Sequence, residues 1–142
     1  MPAPITVINP ATVYVPPTFS YSHAVCFGDL VFVAGQVAQN ARGELVGKDD
    51  PRQQTEQVFE NLRLVLEAAG SGLDLVGKVT VLTTSLDYRP VIHEVRSHVF
   101  GPIGHYPAST LAVVTSLAHP DFLVEIDAVA RTRPGSRPQS AA

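Results

Sequence analysis

The stretch that most restricts what this chain can become is LVFVAGQV, residues 30–37. Its Leu, Val and Phe content reads as a β-strand, yet apolar residues occupy both of its faces. A strand wetted on one side alternates with polar residues, so this one predicts cover on two sides. Only 142 residues are available to supply that cover, which suits one domain and not two. The chain is 45% hydrophobic and 16% charged, against roughly a quarter charged in an average domain. Its mean hydropathy is +0.15. That balance predicts apolar surface hidden against further copies of the same chain.

The remaining elements follow from turn and period signals. Residues 22–27 enter the strand through Gly28-Asp29, a Gly-first pair that predicts a hairpin with a type II′ turn. Upstream, Pro2, Pro4, Pro10, Pro16 and Pro17 leave room for one short strand at residues 5–8. Residues 40–50 read as polar loop, and Asp50-Pro51 opens a helix with Pro at its first position. Val58, Leu62, Val65, Leu66 and Ala69 form its apolar stripe, and Gly70-Ser71-Gly72 stops it. A Val- and Thr-rich strand is expected over 76–86. Pro90 then begins a shorter helix that turns Val91, Ile92, Val95 and Val99 inward and ends near Phe100-Gly101-Pro102. Residues 106–130 are read as two strands joined by an Ala118-His119-Pro120-Asp121 turn. The tail 133–142, rich in Pro, Ser and Ala, is expected to be disordered, leaving 1–132 as the domain. The predicted class is α+β: a mixed sheet of six strands with two helices on one face. No segment remains for the other face, so a homo-oligomer is expected.

Several classes are disfavoured. The net charge is −3, and the basic residues Arg131, Arg133 and Arg137 are spaced by Pro, Gly and Ser, so no nucleic-acid partner is expected. Cys26 is the single cysteine, which excludes an intrachain disulfide and a thiolate cluster. No apolar run approaches a membrane span and no leader pattern is present; the expectation is a soluble, cytoplasmic protein with no membrane partner. His23, His98, His105 and His119 show no ligand spacing. His93 and His98 lie five apart on different faces of one helix. No metal site or cofactor is expected, and no P-loop, dinucleotide fingerprint or Ser/His/Asp arrangement occurs.

Four stretches carry a resemblance: YSHAVCFGDLVFVAGQV (21–37), QTEQVFENLRLVLEAAGSGL (54–73), VGKVTVLTTSLD (76–87), and YPAST with LVEIDAVA (106–110, 123–130). In this order and spacing the chain resembles the YjgF/RidA family over about residues 21–130. The resemblance implies a chorismate-mutase-like fold and a trimer whose sheets form a central barrel. It further implies small-molecule clefts between subunits and hydrolysis of reactive enamines and imines to ketones and ammonia.

Site residues follow by the same resemblance. Glu125 matches a glutamate that positions or activates the water attacking the C=N carbon. An iminium is already electrophilic, so a base aligned with water supplies most of what is needed. The plainer reading is a carboxylate on the polar side of a half-buried strand, since Leu123, Glu125, Asp127 and Val129 share one face. Tyr21 matches a cleft-lining tyrosine able to hydrogen-bond substrate; the plainer reading is packing at a strand start. Gly35 matches a glycine where backbone approaches ligand, the plainer reading being close packing of strand and helix. Ser109, Thr110 and Leu111 fall in the ligand-lining stretch.

Three positions depart from the pattern. Ser109 stands where active members carry an arginine that grips a substrate carboxylate in a bidentate pair. Ala34 replaces the serine of SGQ. His93 stands where active members have asparagine; the plainer reading is a surface or packing residue, as a lone histidine more often is. Arg96, on the same helix as His93, is the candidate replacement cation. The expected function is therefore hydrolysis of a small enamine or imine other than those from ordinary amino acids. The alternative is a non-catalytic binding trimer: retained Glu125 favours the first, the missing arginine the second. Some family members are labelled endoribonucleases or translation inhibitors, which the acidic charge and lack of a basic stripe disfavour here.

Overall fold

The computed structural model describes residues 4–18, 20–136 and 138. Its strands are Thr6–Ile8 (β1), Ala24–Phe27 (β2), Leu30–Gln36 (β3), Val76–Thr83 (β4), Ala108–Val113 (β5) and Val124–Arg131 (β6). Its α-helices are Pro51–Ala68 (α1) and Arg89–Phe100 (α2). The strands form one sheet in the order β1-β2-β3-β6-β4-β5. Neighbours are antiparallel except β4 and β5, which are parallel. The α+β class, the mixed six-stranded sheet and the two helices are as expected.

The hairpin expected over residues 106–130 does not form. β5 and β6 both pair with β4, on its opposite edges. The segment between them passes across the end of β4 instead of closing a tight turn. Sequential neighbours usually pair, but here α2 delivers β5 parallel to β4 through a crossover, which takes the outer edge. β6 instead becomes a central strand between β3 and β4. The strand expected over 76–86 also stops at Thr83, because residues 86–88 wind into a 3₁₀ turn that leads into α2.

Local signals explain most of the rest. Gly28 has φ +61° while Asp29 stays on the ordinary side, the pattern of the II′ turn that closes β2 on β3. The Asp50 carboxylate accepts from the Gln53 amide at 3.1 Å, with Pro51 at the first turn of α1. Val58, Leu62, Val65, Leu66 and Ala69 are buried, and Gly70 ends the helix at φ +75°. These side chains meet Val31 and Val33 of β3 and the buried row Val124, Ile126, Ala128 and Ala130 of β6. Each fully buried Val, Leu or Ile among them contributes about 1.5–3 kcal/mol. On α2, Ile92 and Val95 are buried, whereas Val91 and Val99 are only half-buried at its margins. Of the tail, Arg133 is tied down by an ion pair to Asp74 at 2.8 Å and by its amide to the Gly70 carbonyl. Residues 137 and 139–142 of the tail lie outside the described residues.

Both helices lie on one face of the sheet. On the other, Phe27, Leu30 and Phe32 are 41%, 41% and 37% exposed, and the Phe27 and Phe32 rings stack with centroids 5.0 Å apart. The double-sided apolar character of residues 30–37 is thus real, and one side of it is open in the single chain.

Candidate functional site

The site begins with an irregularity in β3. Val33 pairs with Ala128, but the next pairing is Gln36 with Ile126, so β3 carries one more residue than β6 across this gap. The extra residue reverses the in–out alternation after Ala34. Gln36 therefore turns inward and is 3% exposed, where simple alternation would have pointed it outward. Gly35, inside the bulge, lies under the carboxyl group of Glu125. A Cβ at residue 35 would stand 2.6 Å from Glu125 Cδ and 2.7 Å from Oε2. Glycine is needed here because the bare backbone is the seat of the carboxylate. The close packing at Gly35 is thus against the Glu125 side chain of β6 and not against a helix.

Glu125 and Gly35 line a cavity of about 260 Å³ together with Tyr14, Tyr21, His23 and Gln36. Glu125 is half-buried, and no ion pair among the described residues compensates it. Burial pushes its pKa up, and the nearby Asp127 charge adds to the shift. Asp127 itself accepts a bond from the Thr80 amide at 3.1 Å. Tyr21 is 60% exposed at the rim. The floor is held from α1: Asn61 donates to the Val37 and Gln39 carbonyls, both at 2.9 Å. Gln54 donates to the Asp121 carbonyl at 2.8 Å and accepts from the Leu123 amide at 2.8 Å. These bonds anchor the loop that enters β6 just before Glu125.

A second cavity, of about 400 Å³, is lined by Leu86, Arg89, His93, Arg96, Ser109 and Leu111. Arg96 donates through Nη1 to Ser109 Oγ at 2.7 Å and through Nη2 to His93 Nδ1. The helix guanidinium thus occupies the space beside Ser109. Burial lowers the Arg96 pKa, with Arg89 adding to the effect. Burial, then Arg96 and Arg89, lower that of His93. Neither arginine forms an ion pair among the described residues, so the pocket carries uncompensated positive charge.

The expected site residues therefore fall into two groups within one chain: Tyr21, Gly35 and Glu125 in one cavity, and His93, Arg96, Ser109 and Leu111 in the other. The cavities share no lining residue. Ala34 and Thr110 line neither; the Ala34 carbonyl accepts from Gln36 Nε2, and Thr110 Oγ1 accepts from Lys78 Nζ at 2.7 Å. Sequence reasoning missed His23, Gln36 and Asn61. Asn61 left one readable trace, a polar residue three after Val58 in an otherwise apolar stripe. Among the described residues no three His, Cys, Asp or Glu side chains group closely enough to hold a metal ion. Nor, among them, is any helix long and apolar enough to cross a membrane.

Fold and site together define a small α+β domain of the kind that seats a carboxylate on a bulged strand. The sequence profile of the family described as endoribonuclease L-PSP matches residues 12–132. A RutC family protein of Pyrococcus abyssi is 38% identical over 115 residues, covering 80% of this chain and 87% of the relative. A 2-iminobutanoate/2-iminopropanoate deaminase of Dermatophagoides farinae is 29% identical over 113 residues, covering 80% and 86%. Among solved structures, a putative endoribonuclease of Thermotoga maritima superposes with TM-score 0.81 at 38% identity, covering 89% and 97%. RidA of an Antarctic Psychrobacter superposes with TM-score 0.80 at 31% identity, covering 88% and 98%. The chain belongs to this YjgF/RidA family, also called the endoribonuclease L-PSP family.

Proposed function

We propose that this protein hydrolyses small imines or enamines, with Glu125 as the base that directs water onto the C=N carbon. The observation that carries the reading is a half-buried carboxylate, unpaired by any cation among the described residues, set on a glycine inside a cavity. Water adds to the carbon as its proton passes to Glu125. The carbinolamine then collapses to a ketone, and the proton leaves with ammonia. Tyr21, at the rim, supplies a phenol able to hydrogen-bond the bound substrate. The deaminase name of the mite relative supports the reaction class.

The Arg96–Ser109 contact bears on substrate choice. An arginine absent from the strand is offset by one arriving from α2, which favours a substrate with an anionic end. The contact supports Arg96 as the replacement cation for such a group. The two cavities are separate in one chain, so a cleft that uses both groups needs a second copy. Association into a trimer through the open face of Phe27, Leu30 and Phe32 is part of the proposal. Imines generated in place by an amino-acid oxidase and trapped with semicarbazide test the activity; light scattering after size exclusion tests the assembly. An unchanged imine lifetime across a broad panel would leave the non-catalytic binding trimer as the better reading.

A further inference from the structure

His23 has no place in the scheme above, yet it lines the same cavity as Glu125 and is 8% exposed. Its bonds fix its protonation pattern. Nε2 lies 2.7 Å from the Tyr14 carbonyl oxygen, which can only accept, so Nε2 carries the hydrogen. Nδ1 lies 3.1 Å from Gln36 Nε2, and that amide nitrogen also donates to the Ala34 carbonyl at 3.1 Å. A second obligate acceptor thus fixes the amide orientation, and His23 Nδ1 is left as an acceptor. The backbone closes the loop: the Ala34 amide donates to the His23 carbonyl at 2.8 Å, and the His23 amide to Asn9 Oδ1 at 2.8 Å. These bonds grip residues 34 and 36, on either side of the glycine that seats Glu125.

We propose that His23, held as its neutral Nε2–H tautomer, is a positioning residue: through Gln36 and Ala34 it sets the bulge and so the placement of the Glu125 carboxylate. A proton on Nδ1 would set donor against donor at Gln36. Turning the amide over would then lose the bond to Ala34. The titratable groups lining this cavity with His23 are Tyr14 and Tyr21 from the loops and Glu125 from β6; α1 contributes the neutral Asn61.

The catalytic consequence rests on the imine-hydrolase reading, so the test has two readouts in the full-length protein. The first is the titration of the Glu125 carboxyl followed by carbon NMR, which needs no activity. The second is kcat and KM for an imine. His23→Leu removes the ring bonds to Tyr14 and Gln36, Gln36→Leu removes the partner, and His23→Asn keeps an acceptor close to the position of Nδ1. The leucine variants are expected to move the Glu125 titration and lower kcat by about tenfold or more with KM within about twofold, as for a misplaced reacting group. His23→Asn should restore both readouts towards the parent. In the parent, kcat should show, besides the limb set by Glu125, a second acid limb that His23→Asn lacks. If Gln36→Leu, or His23→Leu where it folds, leaves Glu125 titrating as in the parent, the proposal is overturned whatever the activity. If the parent hydrolyses no imine but the titration moves as expected, the hydrolase reading fails and the positioning role stands.

Discussion

The two cavities oppose each other in chemistry and in construction. The Glu125 cavity is acidic and built from backbone: a bulge, a glycine and amides held from α1 and from His23. The Arg96 cavity is basic and built from side chains on one helix reaching to the edge strand β5. A reacting group must be held to within a fraction of an ångström, which favours over-determined backbone. A counter-charge for a substrate's far end tolerates a long flexible arm. On that ground the first cavity is expected to be sensitive to small backbone changes, and the second, where Arg96 reaches Ser109 from α2, to tolerate them better.

The largest effect is expected from Glu125→Gln, which keeps the shape and removes the base. Imine hydrolysis should fall by about a hundredfold or more. Stability should not fall with it. Glu125 binds its proton more tightly folded than unfolded, so its contribution to stability is present at low pH and lost as pH rises through its raised pKa. At neutral pH the glutamine variant should melt at or above the parent temperature in calorimetry. A variant hydrolysing at the parental rate would reduce Glu125 to a polar surface group.

Arg96→Ala probes the other cavity. Losing a charge-assisted contact of about 1.5–3 kcal/mol corresponds to roughly ten- to a hundredfold in kcat/KM for carboxylate-bearing imines. Neutral imines should be spared. Equal losses on both substrate kinds would show that the basic pocket does not read charge.

Gly35→Ala separates backbone seating from overall stability. The new Cβ meets the Glu125 side chain, which can swing away, and not backbone. About tenfold loss of kcat is expected with a change in thermal midpoint of only a few degrees. A large drop in the midpoint with activity per folded molecule unchanged would mean that the contact is packing alone.

The smallest effect concerns pH. Activity that needs ionised Glu125 should rise with pH through a limb lying above the ordinary carboxylate value of 4.5. Asp127→Asn removes the neighbouring charge while keeping an acceptor for the Thr80 amide, and should move that limb downwards. A limb unmoved in a pH–rate profile would assign the shift to burial alone.

Residues 30–37, apolar on both sides, the II′ turn at Gly28, the Asp50-Pro51 helix start and the stripe of α1 were all legible in the sequence. Each rests on contacts within a few residues, where period and backbone preference decide. The ordered motifs also led to the family and to Glu125 and Gly35. What only the tertiary structure decided is which strands meet and which side chains share a cavity. β5 and β6 look like a hairpin because they are consecutive, but β4 lies between them, since a central strand's partners are chosen by edge competition across the whole sheet. The bulge that turns Gln36 inward exists only in the register of β3 against β6. His23, Tyr14, Gln36 and Asn61 come from four separate segments, and hydrogen bonds at that separation leave no periodic trace in the chain that makes them.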